Sequence, residues 1–311
     1  MATHSNPSAA GSTEPASESR LLQLPPELRN RIYEYALSTG PWPLYCSCVG
    51  TTAALKKPIH KAIFHLEPPP WPRSFEHDPI TELNQLKYVC RQLRVEAAGL
   101  ELKINKEIKI SRTDRDARSP IWDLLVLFRQ YPVAQLMWLS KIIIADEALN
   151  VCDAFNDKRR IFTAPDIAQA AQLARRHPRI TFKYIVGEWR NDKMRHHQHL
   201  LRDEDLVWTL TEAHALVMAL RGTCADEVLN ELFAWSLDPA APQEYGGKWR
   251  GGITPEQLQA PNLRFYPRFP DFDEVQIREW CKPYEPQRLS NGETLLDAWI
   301  RLHKEWCKNG I

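Results

Sequence analysis

The sequence contains little glycine and lacks the glycine-rich loops that cradle phosphates. Its 311 residues include 12 glycines against 24 prolines, so rigid connections outnumber flexible turns. The patterns GxxxxGK[ST], GxGxxG, HExxH and GxSxG do not occur. The sequence therefore gives no support to the common nucleotide-binding, dinucleotide-binding, zinc-protease or hydrolase functions.

The chain also lacks an excess of charge of either sign. Lys and Arg number 40 against 39 Asp and Glu, a net charge of +1 at pH 7, which gives no global attraction to nucleic acid or anionic lipid. Charge separates only locally: residues 170–202 contain eight basic and two acidic side chains, and residues 203–238 contain one basic and eight acidic. The two stretches can neutralise each other. Alternatively the basic stretch, with Tyr184, Trp189 and Arg190, binds a phosphate backbone and stacks bases, a less favoured interpretation in a neutral chain.

Cysteines are too few and too dispersed for a disulfide framework. They are Cys46, Cys48, Cys90, Cys152, Cys224, Cys281 and Cys307. An odd count of this kind is typical of reduced thiols in the cytoplasm or nucleus.

Residues 1–20 are rich in Ser, Ala, Pro and Thr without an apolar core, so they predict a disordered tail rather than a secretory signal. Apolar runs such as residues 121–128 are far shorter than the roughly 20 residues that a bilayer crossing requires, and we expect a soluble chain with no membrane partner.

No cluster of side chains forms a convincing metal or catalytic site. The histidine-rich segment 196–199 and the acids at 203–205 supply ligand types, but their spacing is irregular and neighbouring arginines would repel a cation. Cys46 and Cys48 are one residue closer than a Cys-x-x-Cys pair, and no second pair completes a zinc site. Cys90 lies among apolar helical positions, where burial keeps a thiol inert. The sequence therefore predicts no metal, no cofactor and no catalytic residue.

The first ordered element is a helix that begins at two prolines. The segment Leu-Pro-Pro-Glu-Leu at residues 24–28 lets a helix start without losing an amide donor, and Gly40 ends the pattern. Leu28, Ile32 and Tyr35 recur at spacings of four and three, so they share one face. We expect a helix that runs to about residue 37 and buries that face.

The second strong signal is an apolar repeat over residues 83–100. Its members recur at spacings of three and four: Leu83, Leu86, Cys90, Leu93, Ala97 and Leu100. This pattern predicts one helix of almost five turns. Between the two helices, residues 41–79 are rich in Pro and Trp and predict an insertion loop with one strand at residues 59–66.

The rest of the chain alternates between predicted strands and helices. The strands are expected at residues 107–111, 140–145 and 180–186, and helices begin at Ser119 and Thr163. The chain ends in an amphipathic helix whose stripe includes Trp299 and Trp306, which we expect to dock onto its own domain rather than into a partner. The alternation predicts a mixed α/β (α+β) fold with helices on a small, partly parallel sheet.

Two segments carry a resemblance to a known family. Residues 24–37 resemble the opening of the F-box-like proteins that are abundant in filamentous fungi, in which a Leu-Pro-x-Glu start leads into a short helix. Residues 86–97, with a Cys-Arg-Gln core, are similar to the second element of that family. With the tail at 1–20, the resemblance implies an F-box-like module at 21–110 with an inserted loop and strand, followed by a mixed protein-interaction region at 111–311. Unlike an ordinary F-box, which has a short turn between its elements, this chain inserts residues 38–79.

The resemblance also implies a function. The first helix would dock on the Skp-type adaptor of a cullin-RING ubiquitin ligase, and the C-terminal region would recognise an unknown protein substrate. The docking residues that carry over from the motif are Leu24, Pro25, Glu27, Leu28 and Ile32. Two alternatives stay open: Leu28 and Ile32 pack inside this chain, or the protein is a stand-alone scaffold that binds no adaptor. We expect a non-enzymatic interaction protein.

Overall fold

A six-stranded mixed sheet is the main element of the architecture. The computed structural model describes residues 19–51, 59–66, 82–111, 119–145, 164–186, 252–267, 274–280 and 288–311, together with six residues between 217 and 231. The strands are β1 (Leu44–Thr51), β2 (Ile59–His65), β3 (Glu107–Ser111), β4 (Lys141–Ala145), β5 (Thr181–Val186) and β6 (Leu263–Pro267). Their spatial order is β2-β1-β3-β4-β5-β6. Helices together with this sheet confirm the predicted α+β class.

The strands are mostly parallel. β1 and β2 form an antiparallel pair, whereas β1, β3, β4, β5 and β6 run parallel to their neighbours. The strands predicted at β2, β3, β4 and β5 are confirmed within one or two residues. β1 and β6 were not predicted: β1 lies in the stretch read as a loop, and β6 is a short segment flanked by prolines.

The described helices range from four to 15 residues. They are α1 (Pro26–Leu37), α2 (Arg91–Ala97), α3 (Leu100–Asn105), α4 (Pro120–Gln130), α5 (Val133–Leu136), α6 (Ala164–Arg176), α7 (Pro255–Leu258), α8 (Glu274–Trp280) and α9 (Leu295–Asn309), with a 3₁₀ turn at Gln85–Tyr88. The helices expected at α1, α4, α6 and α9 are confirmed. None of the described helices is long and apolar enough to cross a membrane.

The main core lies on one face of the sheet. Alternate residues of the parallel strands point into it, and Ile108, Ile110, Ile142 and Ile144 are completely buried there. α4 contacts β1 to β4 and α6 contacts β6, and their buried residues join the same cluster. Since parallel strands that follow one another in spatial order are linked by crossovers of one hand, their helices cover the same face.

The last helix docks on the end of the sheet, as predicted. Trp306 is buried in the main core, and its Nε1 donates a hydrogen bond to the carbonyl of Phe265 in β6 over 2.9 Å. The backbone of Ile311 exchanges two hydrogen bonds with Phe265. The indole and the backbone of the last residue therefore both bind the free side of β6.

The single long helix predicted over residues 83–100 is wrong. The segment forms the 3₁₀ turn, α2 and α3, and two residues separate these elements. Cys90 is extended and its thiol caps α2 by accepting from the amide of Leu93. Gly99 has φ of 78°, a left-handed conformation that a helix interior does not contain. The apolar repeat still marks buried positions, because all three elements pack on α1.

The stretch between α1 and the 3₁₀ turn contributes two strands instead of the one that was predicted. β1 and β2 form a hairpin that lies at the edge of the sheet, and β1 pairs in parallel with β3 through Tyr45 and Lys109. The boundary predicted at residue 110 falls inside β3. The sheet therefore continues across that boundary, from the hairpin to β6.

Candidate functional site

The residues of α1 and of the elements packed on it form the helical cluster (residues 19–37 and 82–105). Pro25 precedes the helix in an extended conformation, and its carbonyl accepts from the amides of Leu28 and Arg29 at 3.1 Å each. Pro26 occupies the first helical position, where a missing amide hydrogen removes no bond. Ser38 is extended again and ends the helix. The two prolines therefore fix both the start and the direction of α1.

The inner face of α1 is held by a small apolar cluster. Tyr33 and Leu37, spaced by four residues, are each 1% exposed and pack with Leu93 of α2. Partly buried side chains surround these three: Leu21, Leu22, Leu83, Leu86, Cys90, Leu100 and Ile104. This is the cluster that the sequence assigned to Leu28 and Ile32.

Arg29 ties the Leu-Pro segment to both helices. Its guanidinium donates Nε and Nη2 to the two carboxylate oxygens of Glu96 in α2, each at 3.1 Å. Its Nη1 donates to the carbonyl oxygens of Leu24 at 2.6 Å and Leu22 at 3.2 Å. A bidentate pair of this kind fixes orientation as well as distance. The backbone of residues 22–24 is thus held in place before any partner binds.

Tyr33 extends this network. Its hydroxyl donates to Glu96 Oε2 at 2.8 Å, and Gln92 donates to the other oxygen at 2.9 Å. Burial, followed by the hydrogen bond to Glu96, raises the pKa of Tyr33 to about 12. The hydrogen bonds from Gln92 and Tyr33 lower the pKa of Glu96, so Glu96 stays ionised and Tyr33 stays neutral over a wide pH range.

The outer face of α1 is also apolar, but it is exposed. Leu28, Ile32 and Tyr35 are 49%, 40% and 92% exposed, and we call these three residues the outer stripe. They lie at spacings of four and three and so share a face, as the sequence predicts. With about 100° of rotation per residue, this face points more than a quarter turn away from Tyr33 and Leu37. The interpretation that Leu28 and Ile32 pack inside the chain is therefore wrong.

The other residues that the resemblance implies for docking lie beside the outer stripe. Pro25 and Glu27 are exposed at the start of α1, and Leu24 is partly buried. Together with Leu28 and Ile32, the structure places all five residues that the resemblance implies along one end and one side of α1. Tyr35 adds to them, and it was missed because its spacing grouped it with residues expected in the core.

Polar bonds attach the helical cluster to the sheet. Lys61 of β2 donates to Glu82 at 3.3 Å and to the Tyr88 hydroxyl at 2.8 Å, and Lys87 and Tyr88 also donate to Glu82. Burial alone would raise the pKa of Glu82, but the hydrogen bonds from Lys87 and Tyr88 outweigh it and hold the pKa below its usual range. The Asn105 side chain accepts from the Thr39 amide and donates to the Leu37 carbonyl at 2.9 Å each.

A buried carboxyl group lies at the same junction. Glu101 is 1% exposed and accepts from the Asn84 amide at 2.7 Å and from the Tyr131 hydroxyl at 3.2 Å. Burial, and next the charge of Glu101, raise the pKa of Tyr131. Since Tyr131 directly follows α4, this bond joins the helical cluster to a helix of the main core. The outer stripe is therefore presented on a rigid support.

Other candidate sites receive less support. Ser47 Oγ lies 2.9 Å from His65 Nε2 in the hairpin, but both side chains are buried and link the two strands. Cys46 is not disulfide-bonded and lies in the main core. Among the described residues, no three His, Cys, Asp or Glu side chains could hold a metal ion, and the histidine-rich segment 196–199 lies outside those residues.

The basic stretch at 170–202 is not one surface within its described part. Arg175 on α6 donates to the carbonyls of Glu256 and Gln259 at 2.9 and 2.6 Å. Tyr184 is 1% exposed and belongs to the main core, so it offers no ring to a nucleic-acid base and that expectation is wrong. Trp189 and Arg190 lie outside the described residues.

Comparisons with known proteins add no relative. No family model matches the chain, and no curated protein and no solved structure matches it either. The assignment of a function therefore depends on the residues themselves, and above all on the outer stripe of α1.

Proposed function

We propose that this chain is a non-enzymatic, F-box-like interaction protein whose α1 binds a Skp-type adaptor, so that it acts as a substrate receptor of a cullin-RING ubiquitin ligase. The observation that supports the proposal best is the second apolar face of α1. Leu28, Ile32 and Tyr35 are exposed while a different face of the same helix packs on α2. A surface helix that serves only its own core has one apolar face.

The geometry suits a helix that binds in an apolar groove. Anchors at positions i, i+4 and i+7 are the usual pattern in that mode of recognition. Covering a fully exposed large apolar side chain contributes about 1.5–3 kcal/mol, and Tyr35 is nearly fully exposed. Because Arg29 already orders the Leu-Pro segment, binding loses little conformational entropy.

The remaining parts of the proposal concern the partner and the compartment. The mixed region after residue 110 would recognise a protein substrate, and the protein would act in the cytoplasm or the nucleus. Among the described cysteines, Cys46, Cys90 and Cys307 form no disulfide, which supports a reducing compartment.

A second candidate function is a stand-alone interaction protein that binds through the outer stripe without a ubiquitin ligase. The observation that favours it is the hairpin between the two F-box-like segments. β1 and β2 belong to the sheet, and Lys61 of β2 bonds to Glu82, whereas an ordinary F-box joins its elements by a short turn. The occupant of the outer stripe would then be a different protein.

Co-purification with a Skp-type adaptor tests the proposal. The full chain should form a stoichiometric complex, and the double variant Leu28→Asp with Ile32→Asp should lose it. A matched control is Val133→Asp with Met137→Asp, which changes two residues near α5 that are 62% and 54% exposed and should leave the complex intact. These substitutions separate loss of binding from loss of folding better than Leu24→Asp would, because Leu24 is partly buried and its carbonyl accepts a hydrogen bond from Arg29.

Two results would count against the proposal. If the unaltered chain forms no complex with the adaptor, the stand-alone function replaces it. If the complex forms and persists in the Leu28 and Ile32 double variant, the adaptor binds elsewhere and the outer stripe has another use.

A further inference from the structure

Glu96 of α2 is linked through Arg29 to the backbone that precedes α1. Its carboxylate binds the Arg29 guanidinium through both oxygens, each at 3.1 Å, although the two residues are 67 positions apart in the sequence. Nη1 of Arg29 donates to the carbonyls of Leu24 at 2.6 Å and of Leu22 at 3.2 Å. One planar group therefore connects α2 to the Leu-Pro segment.

The guanidinium couples the two ends of this link because its shape is fixed. Its N–H groups lie in one plane, so the direction in which Nη1 points depends on how Nε and Nη2 are held. Glu96 is itself held by the Tyr33 hydroxyl at 2.8 Å and by the Gln92 amide at 2.9 Å, which leaves its carboxylate little freedom. The positions of the carbonyls that Arg29 binds are thus set in part from α2.

The ion pair adds little to the attachment of α1 to α2. That attachment already depends on the apolar contacts between Leu93 and the inner face of α1, and partly exposed ion pairs contribute little to stability. Residues 22–24 precede the helix, and their amides donate to carbonyls of the preceding turn at 2.8 to 3.3 Å. Because Leu24 and Pro25 are among the residues that the resemblance implies for docking, the pair acts on the part of the chain that would meet the adaptor.

We propose that Glu96 is a positioning residue for adaptor binding, which through Arg29 holds the Leu-Pro segment in the conformation that the adaptor binds. The proposal rests on the proposed function and adds a role for α2, which packs on the inner face of α1 and not on the outer stripe. A segment that is ordered in advance loses less conformational entropy when it binds. Removing the Glu96 carboxylate should therefore weaken binding although no contact with the adaptor is removed.

Isothermal titration calorimetry of the full chain with a Skp-type adaptor tests the proposal. Glu96→Gln keeps the size of the side chain but places an amide against the guanidinium. It should weaken binding about tenfold, the loss expected when one ordered residue becomes free before binding. Arg29→Lys should weaken binding by a similar factor, because an ammonium group cannot hold the carboxylate and the two carbonyls in the same geometry.

Two controls separate positioning from stability. Tyr33→Phe removes a different bond to Glu96 and leaves the Arg29 pair, so it should lower stability while changing the affinity less than about twofold. Glu107→Gln removes an ion pair of similar length, 3.0 Å to Lys141, from the sheet. It should also change the affinity less than about twofold.

Hydrogen exchange reports on the Leu-Pro segment directly and needs no adaptor. The amides of Leu22 and Leu24 should exchange several-fold faster in Glu96→Gln than in the unaltered chain, because local opening becomes easier. They should exchange at the unaltered rate in Tyr33→Phe. Unchanged exchange in Glu96→Gln would overturn the proposal.

The binding results distinguish this proposal from the proposed function. If the unaltered chain forms no complex with the adaptor, the proposed function fails and the positioning role fails with it. If the complex forms and is lost in the Leu28 and Ile32 double variant, but Glu96→Gln binds within about twofold of the unaltered chain, only the positioning role is overturned. An affinity loss in Tyr33→Phe as large as in Glu96→Gln would also overturn it, because both variants would then act through stability.

Discussion

The main core, called the sheet core below because it packs on one face of the sheet, and the helical cluster are stabilised by different means. In the sheet core, aliphatic side chains such as Ile142 and Leu124 are completely buried between the strands and α4. In the helical cluster, three deeply buried side chains are supplemented by an ion-pair network around Arg29 and Glu96. The apolar residues of the sheet core are buried, whereas α1 exposes Leu28, Ile32 and Tyr35 to solvent.

The difference indicates where binding can occur without loss of the fold. Residues of the sheet core cannot be withdrawn from their contacts without a large loss of stability. The outer stripe contributes little to the packing of its own chain, so its apolar surface is available to a partner. Substitutions in the two regions should therefore separate stability from binding.

The largest effect is expected in the sheet core. Ile142→Ala should destabilise the protein by about 2–5 kcal/mol, because the side chain is completely buried and its removal leaves a cavity. Urea unfolding followed by circular dichroism measures the change. Val133→Ala, at an exposed position, is the control and should change stability by about 0.5 kcal/mol or less. A loss below about 1 kcal/mol for Ile142→Ala would mean that this core is less tightly packed than described.

A smaller change in stability is expected on substitution of Gly99, and its direction distinguishes the observed break from a continuous helix. Gly99→Ala should destabilise the protein by about 1–2 kcal/mol, because φ is 78° and only glycine adopts that region freely. An added Cβ would also lie 2.8 Å from the Gln135 side chain, although that side chain can move. If residues 83–100 formed one continuous helix, the same change would stabilise it by about 1 kcal/mol. Thermal unfolding therefore distinguishes the two structures by the direction of the shift.

Much of the fold was predictable from local patterns. α1, α4, α6 and α9 follow the apolar spacing of 3.6 residues, and Pro26 and Ser119 mark two of their starts. The break at Cys90 was not predictable, since a cysteine that caps a helix with its thiol has the same spacing as a buried one. β6 escaped prediction because two hydrogen bonds with Ile311 and a bond from Trp306 hold it, and these contacts are distant in sequence.

The candidate site was predictable in its members but not in its orientation. Leu28, Ile32 and Tyr35 share a face, as the spacing requires, but Tyr33 and Leu37 satisfy an i, i+4 spacing equally well. The inward face is the one whose Tyr33 and Leu37 pack with Leu93, and the carboxylate of Glu96 binds both Arg29 and Tyr33 beside it. This contact joins residues more than 60 positions apart, and no local pattern reveals it.

A moderate and pH-dependent effect is expected for Tyr33. Tyr33→Phe removes the hydrogen bond to Glu96 and should lower stability by about 1 kcal/mol near neutral pH. The pKa of Tyr33 is raised from 10.0 to about 12 in the folded protein, so its contribution is fully present below pH 10 and declines as pH rises towards 12. Urea unfolding at several pH values should show the two proteins converging over that range. A difference that stays constant with pH would contradict the bond to Glu96.

The smallest effect on stability is expected in the outer stripe. Leu28→Asp with Ile32→Asp should change the free energy of unfolding by about 0.5 kcal/mol or less, because both side chains are about half exposed and lie outside the apolar cluster. Thermal unfolding of the double variant, beside Val133→Asp with Met137→Asp, measures this. A loss of more than about 2 kcal/mol would show that the two residues belong to the core of their own chain. Near-neutral stability together with loss of the adaptor complex would instead mean that α1 keeps this face apolar for a partner.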